Sequence, residues 1–290
     1  MAVEVIWKNR NKFKRIILRM GPFHIMCNVL SIIGKRFADA GLRDLAVESG
    51  VIAEGSVAAV LDGRQYNRGV RLHKLVYEAL LCLVWKSFFP WLEKNHIEDQ
   101  QLLVDVTKKM KSLQENTSSV TLQAVLEDSA CIIILNRFTE FMRILSTKSG
   151  DLAAYWMSYI DLVGVLLDLI RASREGNCNW SLHLYSVRAI IPWCFAYDKQ
   201  NYARYLPMYY SEMTRLVSDY PSVHKHLSEG GFSVQMGINP FGKLPVDQTL
   251  EETVNKDTQC PGGTKGFRLN AGATTKYHLT AVQLLDSYAV

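Results

Sequence analysis

Long uninterrupted apolar runs are missing from this 290-residue sequence, and so are complete catalytic and metal-binding motifs. The longest apolar run, YEALLCLVWKSFFPWL, is interrupted by Lys86 and Pro90, which makes it too short and too broken for a membrane span. The N-terminal MAVEVIWKNRNKFKR is charged almost at once, unlike a secretory signal peptide. We therefore expect an intracellular protein without a membrane partner.

Cysteines are few and widely separated, at positions 27, 82, 131, 178, 194 and 260. Most lie among apolar residues, which predicts reduced, buried thiols rather than a disulfide framework. His24 and Cys27 have HxxC spacing, but a structural zinc site needs two paired sets of ligands at standard spacings. No such sets occur, so we expect no metal site and no cofactor.

Composition is that of an ordinary globular protein, with 48% hydrophobic and 21% charged residues. The length suits one large domain or two ordinary ones. A net charge of +5 allows nucleic acid as a partner but does not require it.

Apolar spacing is mostly helical, and strand signals are sparse. The pattern predicts a mainly α fold, an irregular multi-helix domain with at most a small β-hairpin. Predicted strands are RIILRM (15–20), FSVQM (232–236) and GFRL (266–269), and the last two could pair. The predicted helices cover 22–38, 42–49, 55–62, 67–94, 98–115, 119–146, 151–175, 180–197, 201–218, 246–256 and 275–287.

Two softer segments suggest the domain organisation. The polar ENTSSV (115–120) predicts a lobe boundary within a helical body of residues 1–228. Residues 229–290 begin with a stretch rich in glycine and proline, which predicts a loop-rich C-terminal arm with one or two helices.

Aromatic residues concentrate between Trp180 and Tyr210, where nine of 31 residues are Trp, Tyr or Phe. The spacing predicts two helices joined at Tyr197-Asp198, with Asp198 as the N-cap of the second helix. Lysine and arginine are too few here for a base-stacking platform. We interpret the rings, Trp193 included, as the core of a helical hairpin.

A basic cluster lies in GRQYNRGVRLHK (63–74), where Arg64, Arg68, Arg71 and Lys74 recur every three or four residues. Such a stripe near a helix N-terminus suits contacts to phosphates. The preceding EGSVAAVLDG completes the outline of a helix-turn-helix. The alternative is a solvated face paired with Glu54, Asp62 and Glu78.

A second basic run comprises Lys8, Arg10, Lys12, Lys14 and Arg15, with Trp7 and Phe13 between them. It could contact nucleic acid or serve as a nuclear address, and the alternative is a solvated helix face. Asp247 and Glu251, one turn apart, we interpret as acids that offset a helix dipole.

Several phrases resemble an uncharacterised eukaryotic family known only as a domain of unknown function, whose members look derived from mobile elements. They include MGPFHIMCNVLSIIGKRFADAGL, VIAEGSVAAVLDGRQYNRGVRLHKLVYEAL and WMSYIDLVGVLLDLIRASREGN. The resemblance covers nearly the whole chain. It implies an origin in a DNA transposon rather than a mechanism.

A further comparison concerns transposases with a ribonuclease-H-like core. RIILRMGPFH (15–24) is similar to their second strand and its Phe-His, with Glu48 as the candidate catalytic glutamate and Glu54 as its alternative. The analogy implies an N-terminally truncated copy that lacks essential carboxylates. Two-metal catalysis needs several carboxylates, so we expect a protein that is not an enzyme, a degenerate remnant.

Our leading hypothesis is a mobile-element-derived helical protein that retains non-specific DNA binding through residues 64–74, with a contribution from residues 8–15. The alternative is a helical protein–protein interaction module without a nucleic-acid role.

Overall fold

A computed structural model describes residues 5–6, 8–9, 11–13, 16–115, 124–174, 178–239 and 242–259. Most of these residues are helical, which confirms the predicted mainly α fold. The α-helices are α1 (Pro22–Phe37), α2 (Leu42–Glu48), α3 (Glu54–Leu61), α4 (Tyr66–Asn95), α5 (Gln100–Glu115), α6 (Ser129–Lys148), α7 (Asp151–Arg174), α8 (Trp180–Ala196), α9 (Gln200–Asp219), α10 (Pro221–Ser228), α11 (Val246–Glu252) and α12 (Val254–Gln259). Ala38–Ala40 and Ile97–Asp99 form short 3₁₀ helices.

Helix boundaries follow the local signals closely. Gly41 and Gly63 adopt φ of +101° and +76°, and each lies at the junction between two helical segments, where glycine accepts a left-handed backbone at little cost. The predicted helix 119–146 is interrupted within the described residues: residues 124–126 are helical, and α6 starts anew at Ser129, where the Asp128 side chain accepts a hydrogen bond from the Ala130 N–H. Residues 119–123 lie outside the described residues. The predicted helix 275–287 lies outside the described residues.

Within the described residues, the β-structure is one antiparallel pair of short strands, β1 (Ser233–Gln235) and β2 (Lys243–Pro245), with Val234 opposite Leu244. Strand β1 matches the predicted strand at 232–236, but its partner in the described chain is β2. The proposed partner at 266–269 lies outside the described residues. The predicted strand at 15–20 is wrong, because residues 16–20 form no strand.

Contacts divide the chain into two compact units, residues 1–29 with 166–290, and residues 30–165. The boundaries of these units differ from those of the predicted helical body (1–228) and C-terminal arm (229–290). The predicted lobe boundary at 115–120 falls almost wholly on residues outside the described chain.

Residues 30–165 contain an aromatic and aliphatic core built from α4, α5, α6 and the first part of α7. Trp85 stacks on Phe138 with ring centroids 4.0 Å apart, and Phe88 contacts the Phe138 ring edge to face at 5.3 Å. The buried His73 Nδ1 lies 2.8 Å from the Tyr159 hydroxyl.

Residues 166–259 contain the aromatic hairpin, in which α8 packs against α9 as predicted. The buried stripe of α8 runs through Trp180, His183, Val187, Ile190 and Cys194. Trp193 lies at the edge of this stripe and is only half-buried, so its predicted place in the core is wrong. Asp198 has φ of +51° and does not cap α9, which follows Lys199 without a side-chain cap.

Trp180 and Trp193 should therefore differ in their effect on stability. Trp180 is 4% exposed and lies against Phe232 and His183, with ring centroids 5.3 and 5.1 Å away. We expect Trp180→Ala to cost ~3–5 kcal/mol of unfolding free energy and Trp193→Ala ~1 kcal/mol, because only the first leaves a closed cavity. Urea unfolding of both variants measures the difference, and equal costs would contradict the burial pattern.

The described cysteines are all free thiols, as predicted. Cys131 and Cys194 are buried, and Cys27 and Cys178 are half-buried. Cys82 is exposed, so the prediction of burial is wrong for this residue. It lies on the side of α4 opposite the core, and Cys260 lies outside the described residues.

Two helices, Tyr66–Asn95 and Asp151–Arg174, are long and apolar enough to cross a membrane by length and composition alone. The first is longer than the apolar run that we judged too short. The core helices of soluble proteins meet the same criterion, so it does not distinguish them from membrane spans. The absence of a membrane partner therefore stays a prediction.

Candidate nucleic-acid interface

The basic surface comprises Arg64, Arg68, Arg71 and Lys74, and all four side chains are exposed. Helix α4 begins at Tyr66, and its core-facing residues Gly69, Leu72, His73 and Val76 are buried. Because these residues fix the rotation of the helix, the basic residues between them must point to solvent.

Few carboxylates neutralise the basic surface. Arg64 donates to Asp62 Oδ2 at 2.7 Å. Arg68 donates instead to the neutral Gln65 and Ser56 at 3.1 and 3.4 Å. Glu54, one of the predicted partners, pairs with Arg43. Of the three predicted carboxylate partners, Asp62 alone forms such a pair within the described part of the chain.

The backbone adds positive potential at the same place. Gln65, at the N-cap of α4, makes no side-chain capping hydrogen bond. The N–H groups of the first turn carry partial positive charge, which favours an anion beside the arginines. Helix α3 and the turn at Gly63 precede α4, so the predicted outline of two helices around a tight turn is present.

The second basic run is described only in part. Lys8 and Lys12 are exposed, and Lys12 Nζ lies 5.8 Å from the centroid of the Phe13 ring. Trp7, Arg10, Lys14 and Arg15 lie outside the described residues.

Residues 16–20, the described part of the segment, form no strand, so the structure does not support the ribonuclease-H-like analogy. Ile17 and Leu18 instead line a cavity of about 290 Å³ together with Met213 and Leu216 of α9, so this segment has a helix beside it where the analogy needs a sheet. Glu48 is exposed at the end of α2, and Glu54 is exposed in the first turn of α3. Neither belongs to a cluster of acids with metal-ligand spacing in the described chain.

His24, Asp247 and Glu251 form one cluster, although no sequence pattern indicates that His24 lies close to the two acids. Asp247 accepts hydrogen bonds from the backbone N–H groups of Phe23 and His24 at 3.3 and 3.1 Å, and lies 2.9 Å from His24 Nδ1. Glu251 Oε1 lies 3.5 Å from His24 Nε2. Asp247 thus caps α1 from a position more than 200 residues away in sequence.

The electrostatics of this cluster fit a structural role. The hydrogen bond to Asp247 raises the pKa of His24, while burial raises the pKa of the Cys27 thiol to about 12, with a further contribution from the carboxylates. A thiol with this pKa is protonated at neutral pH and is a poor nucleophile. A methyl group on Gly21 would lie 2.0 Å from Asp247 Oδ2, so glycine permits the approach.

His96, Glu98 and Asp99 form a second cluster that sequence reasoning missed, with potential ligand atoms within 4.8 Å of one another. Arg137 Nε donates to Asp99 at 2.8 Å and Arg137 also lies 3.7 Å from Glu140. A guanidinium already satisfies the buried carboxylate, which favours an ion-pair network. Glu98 and Asp99 follow the end of α4. No sequence pattern indicates this network, because Arg137, the partner of Asp99, lies 38 residues away.

The chain belongs to the family described as Domain of unknown function (DUF8702), whose model matches residues 1–288. Comparison with curated proteins and with solved structures gives no match.

Proposed function

We propose that this DUF8702 protein binds DNA without sequence preference through the basic surface of α4. The observation that carries the proposal is the exposure of all four cationic side chains, of which only Arg64 forms an ion pair with a carboxylate in the described chain. Phosphate oxygens would take the positions that carboxylates leave open, with Arg68 and Arg71 beside the first turn of the helix.

Binding of this kind derives most of its free energy from the release of counterions that condense on DNA. Four phosphate contacts give a dependence on salt of about the 3.6th power, or roughly a 150-fold loss of affinity between 50 and 200 mM salt. Dissociation constants for such non-specific contacts are ~10⁻⁶–10⁻⁴ M near physiological salt.

The test is a triple variant, Arg64→Ala, Arg68→Ala and Arg71→Ala. We expect its affinity for a 20-base-pair duplex at 50 mM salt to fall at least ~10-fold, because three charge-assisted contacts are lost. A control variant, Arg143→Ala, Arg188→Ala and Arg215→Ala, removes the same charge from other exposed positions. Fluorescence anisotropy measures both, and equal losses would show that only net charge matters.

A second candidate function is a protein–protein interaction module. Exposed apolar residues on α4, namely Leu75, Leu83 and Phe89, favour it, since their exposed fractions are 41%, 57% and 45%. Absence of DNA binding by the parent protein at 50 mM salt would leave this alternative as the better account.

The proposal includes a mobile-element origin and an intracellular, nuclear location. The resemblance of the long phrases quoted above supports the origin, and the basic run at 8–15 supports the location. Genomic copies flanked by terminal inverted repeats would agree with the origin, and a single copy without such repeats would contradict it.

A further inference from the structure

One face of α4 carries a continuous exposed stripe of seven residues. The members follow one another at intervals of four or three, which places them within an arc of ~80° on a helix. All seven are exposed. They are Arg71, Leu75, Glu78, Cys82, Lys86, Phe89 and Glu93.

The chemistry of this stripe is arranged symmetrically about Cys82. Glu78 and Lys86 lie four residues to either side, with opposite charges. Leu75 and Phe89 lie seven residues to either side, and both are apolar. Arg71 and Glu93, eleven residues away, again carry opposite charges.

We propose that this stripe pairs with the same stripe of a second copy of the chain, antiparallel, about a two-fold axis at Cys82. A two-fold interface is self-complementary, so each contact occurs twice. Glu78 then faces Lys86 of the other copy, Leu75 faces Phe89, and Arg71 faces Glu93. Every charge along the seam meets its opposite.

Exposed apolar side chains on this face of α4 favour its burial against a second copy of the chain. Leu75 and Phe89 are 41% and 45% exposed, and the apolar Leu83, 57% exposed, lies beside them. The seam covers 23 residues of helix, or ~33 Å from Arg71 to Glu93. Exposed ion pairs contribute little affinity and set orientation instead, so we expect a dissociation constant in the micromolar range.

The geometry at the axis gives a direct reporter. Helices pack with axes 8–10 Å apart, and Cα atoms lie about 2.3 Å from each axis. Two facing Cys82 Cα atoms would then lie ~4–5 Å apart, which a disulfide can span. Cys82 is the exposed thiol among the five described cysteines.

The first test is sedimentation equilibrium of the full chain at 1–100 μM, a range chosen around the affinity of weak interfaces. We expect a monomer–dimer equilibrium that Leu75→Asp weakens at least 10-fold. Leu152→Asp is the matched control, because Leu152 is 73% exposed on α7 and should leave the equilibrium unchanged. A parent protein that is monomeric throughout would overturn the proposal.

The charge pairs allow a sharper test. Glu78→Lys or Lys86→Glu alone creates two like-charge contacts in the dimer, and each should weaken dimerisation about 10-fold. The double variant exchanges the charges and should restore the parent affinity within about threefold. Additive weakening in the double variant would refute the antiparallel register.

Oxidation tests the position of the axis. Copper phenanthroline should convert the parent to a covalent dimer, and Cys82→Ser should abolish this product while the protein still dimerises. Leu75→Asp should slow the cross-linking. Equal cross-linking of the parent and Leu75→Asp would indicate random collision and overturn the proposal. These measurements contain no DNA, so none of the outcomes depends on DNA binding. Arg71 belongs to both proposed surfaces and can contact either a phosphate or Glu93 of the other copy at one time.

Discussion

Replacing Gly34 by alanine is expected to destabilise the protein by ~3 kcal/mol or more, because an added methyl group has no space. Gly34 is buried in α1, and a Cβ atom there would lie 2.0 Å from the carbonyl oxygen of Leu61. The obstacle is the backbone at the end of α3, which cannot rotate away. The ~1 kcal/mol that alanine gains in helix propensity over glycine is too small to offset the clash.

Gly164 in α7 is the matched control, since it is also a helical glycine but has no heavy atom within 4 Å of its added Cβ. Gly164→Ala should stabilise the protein by ~0.5–1 kcal/mol through helix propensity and a less flexible unfolded chain. Urea unfolding of the two variants should give opposite signs. Stabilisation by Gly34→Ala would show that α1 and α3 are not packed as described.

A steep loss of stability in mild acid is the second large effect that we expect. Burial lowers the pKa of His73 to about 4 and that of His183 to about 3, and Arg19 adds to the second shift. Their ordinary pKa is 6.5. Each ring lies within hydrogen-bond distance of a tyrosine hydroxyl, Tyr159 or Tyr209. Their remaining ring nitrogens, His73 Nε2 and His183 Nδ1, have no hydrogen-bond partner in the described chain.

The sign follows from where the protons bind. Above pH 6.5 both histidines are neutral in the folded and the unfolded chain, so they add no pH dependence. Below pH 6.5 the unfolded chain binds a proton at each histidine and the folded chain does not. Stability then falls by ~1.4 kcal/mol per pH unit for each histidine, or ~6 kcal/mol for both by pH 4, where the folded His73 begins to bind its own proton. That is comparable with the whole stability of many proteins.

The measurement is the unfolding free energy between about pH 5 and 6, above the range in which carboxylates titrate. Its slope should correspond to nearly two protons. His24, whose pKa is raised, is charged in both states below pH 6.5 and adds no slope there. His73→Phe and His183→Phe should each remove about one proton from the slope, and an unchanged slope would contradict the burial of these rings.

The helices were predictable because their signals are local. Gly41, Gly63 and the spacing of apolar residues predict the ends of α1 to α4 to within one residue of where the structure places them. The absence of a strand at 16–20 was not predictable, since Ile17 and Leu18 are compatible with a strand until α9 is known to lie beside them. The prediction that Trp193 is a core residue was wrong for a similar reason. The aromatic content of α8 does not reveal that Ile190 and Cys194 lie at the centre of its buried stripe.

Among the candidate site residues, exposure was predictable and pairing was not. The period of α4 correctly places Arg68, Arg71 and Lys74 on the wet side of the helix. The contact of Asp247 with His24 joins residues from opposite ends of the chain, and no local pattern encodes it. The same limit applies to Arg137, whose partner Asp99 lies 38 residues away.

The central claim, that α4 contacts phosphates, is tested most directly by the salt dependence of DNA binding. The logarithm of the association constant plotted against the logarithm of salt concentration should have a slope of about −3.6 for the parent protein, which corresponds to four contacts. For the variant with Arg64, Arg68 and Arg71 replaced by alanine, the slope should be about −0.9, since only Lys74 remains. Identical slopes for the two proteins would place the DNA on another surface.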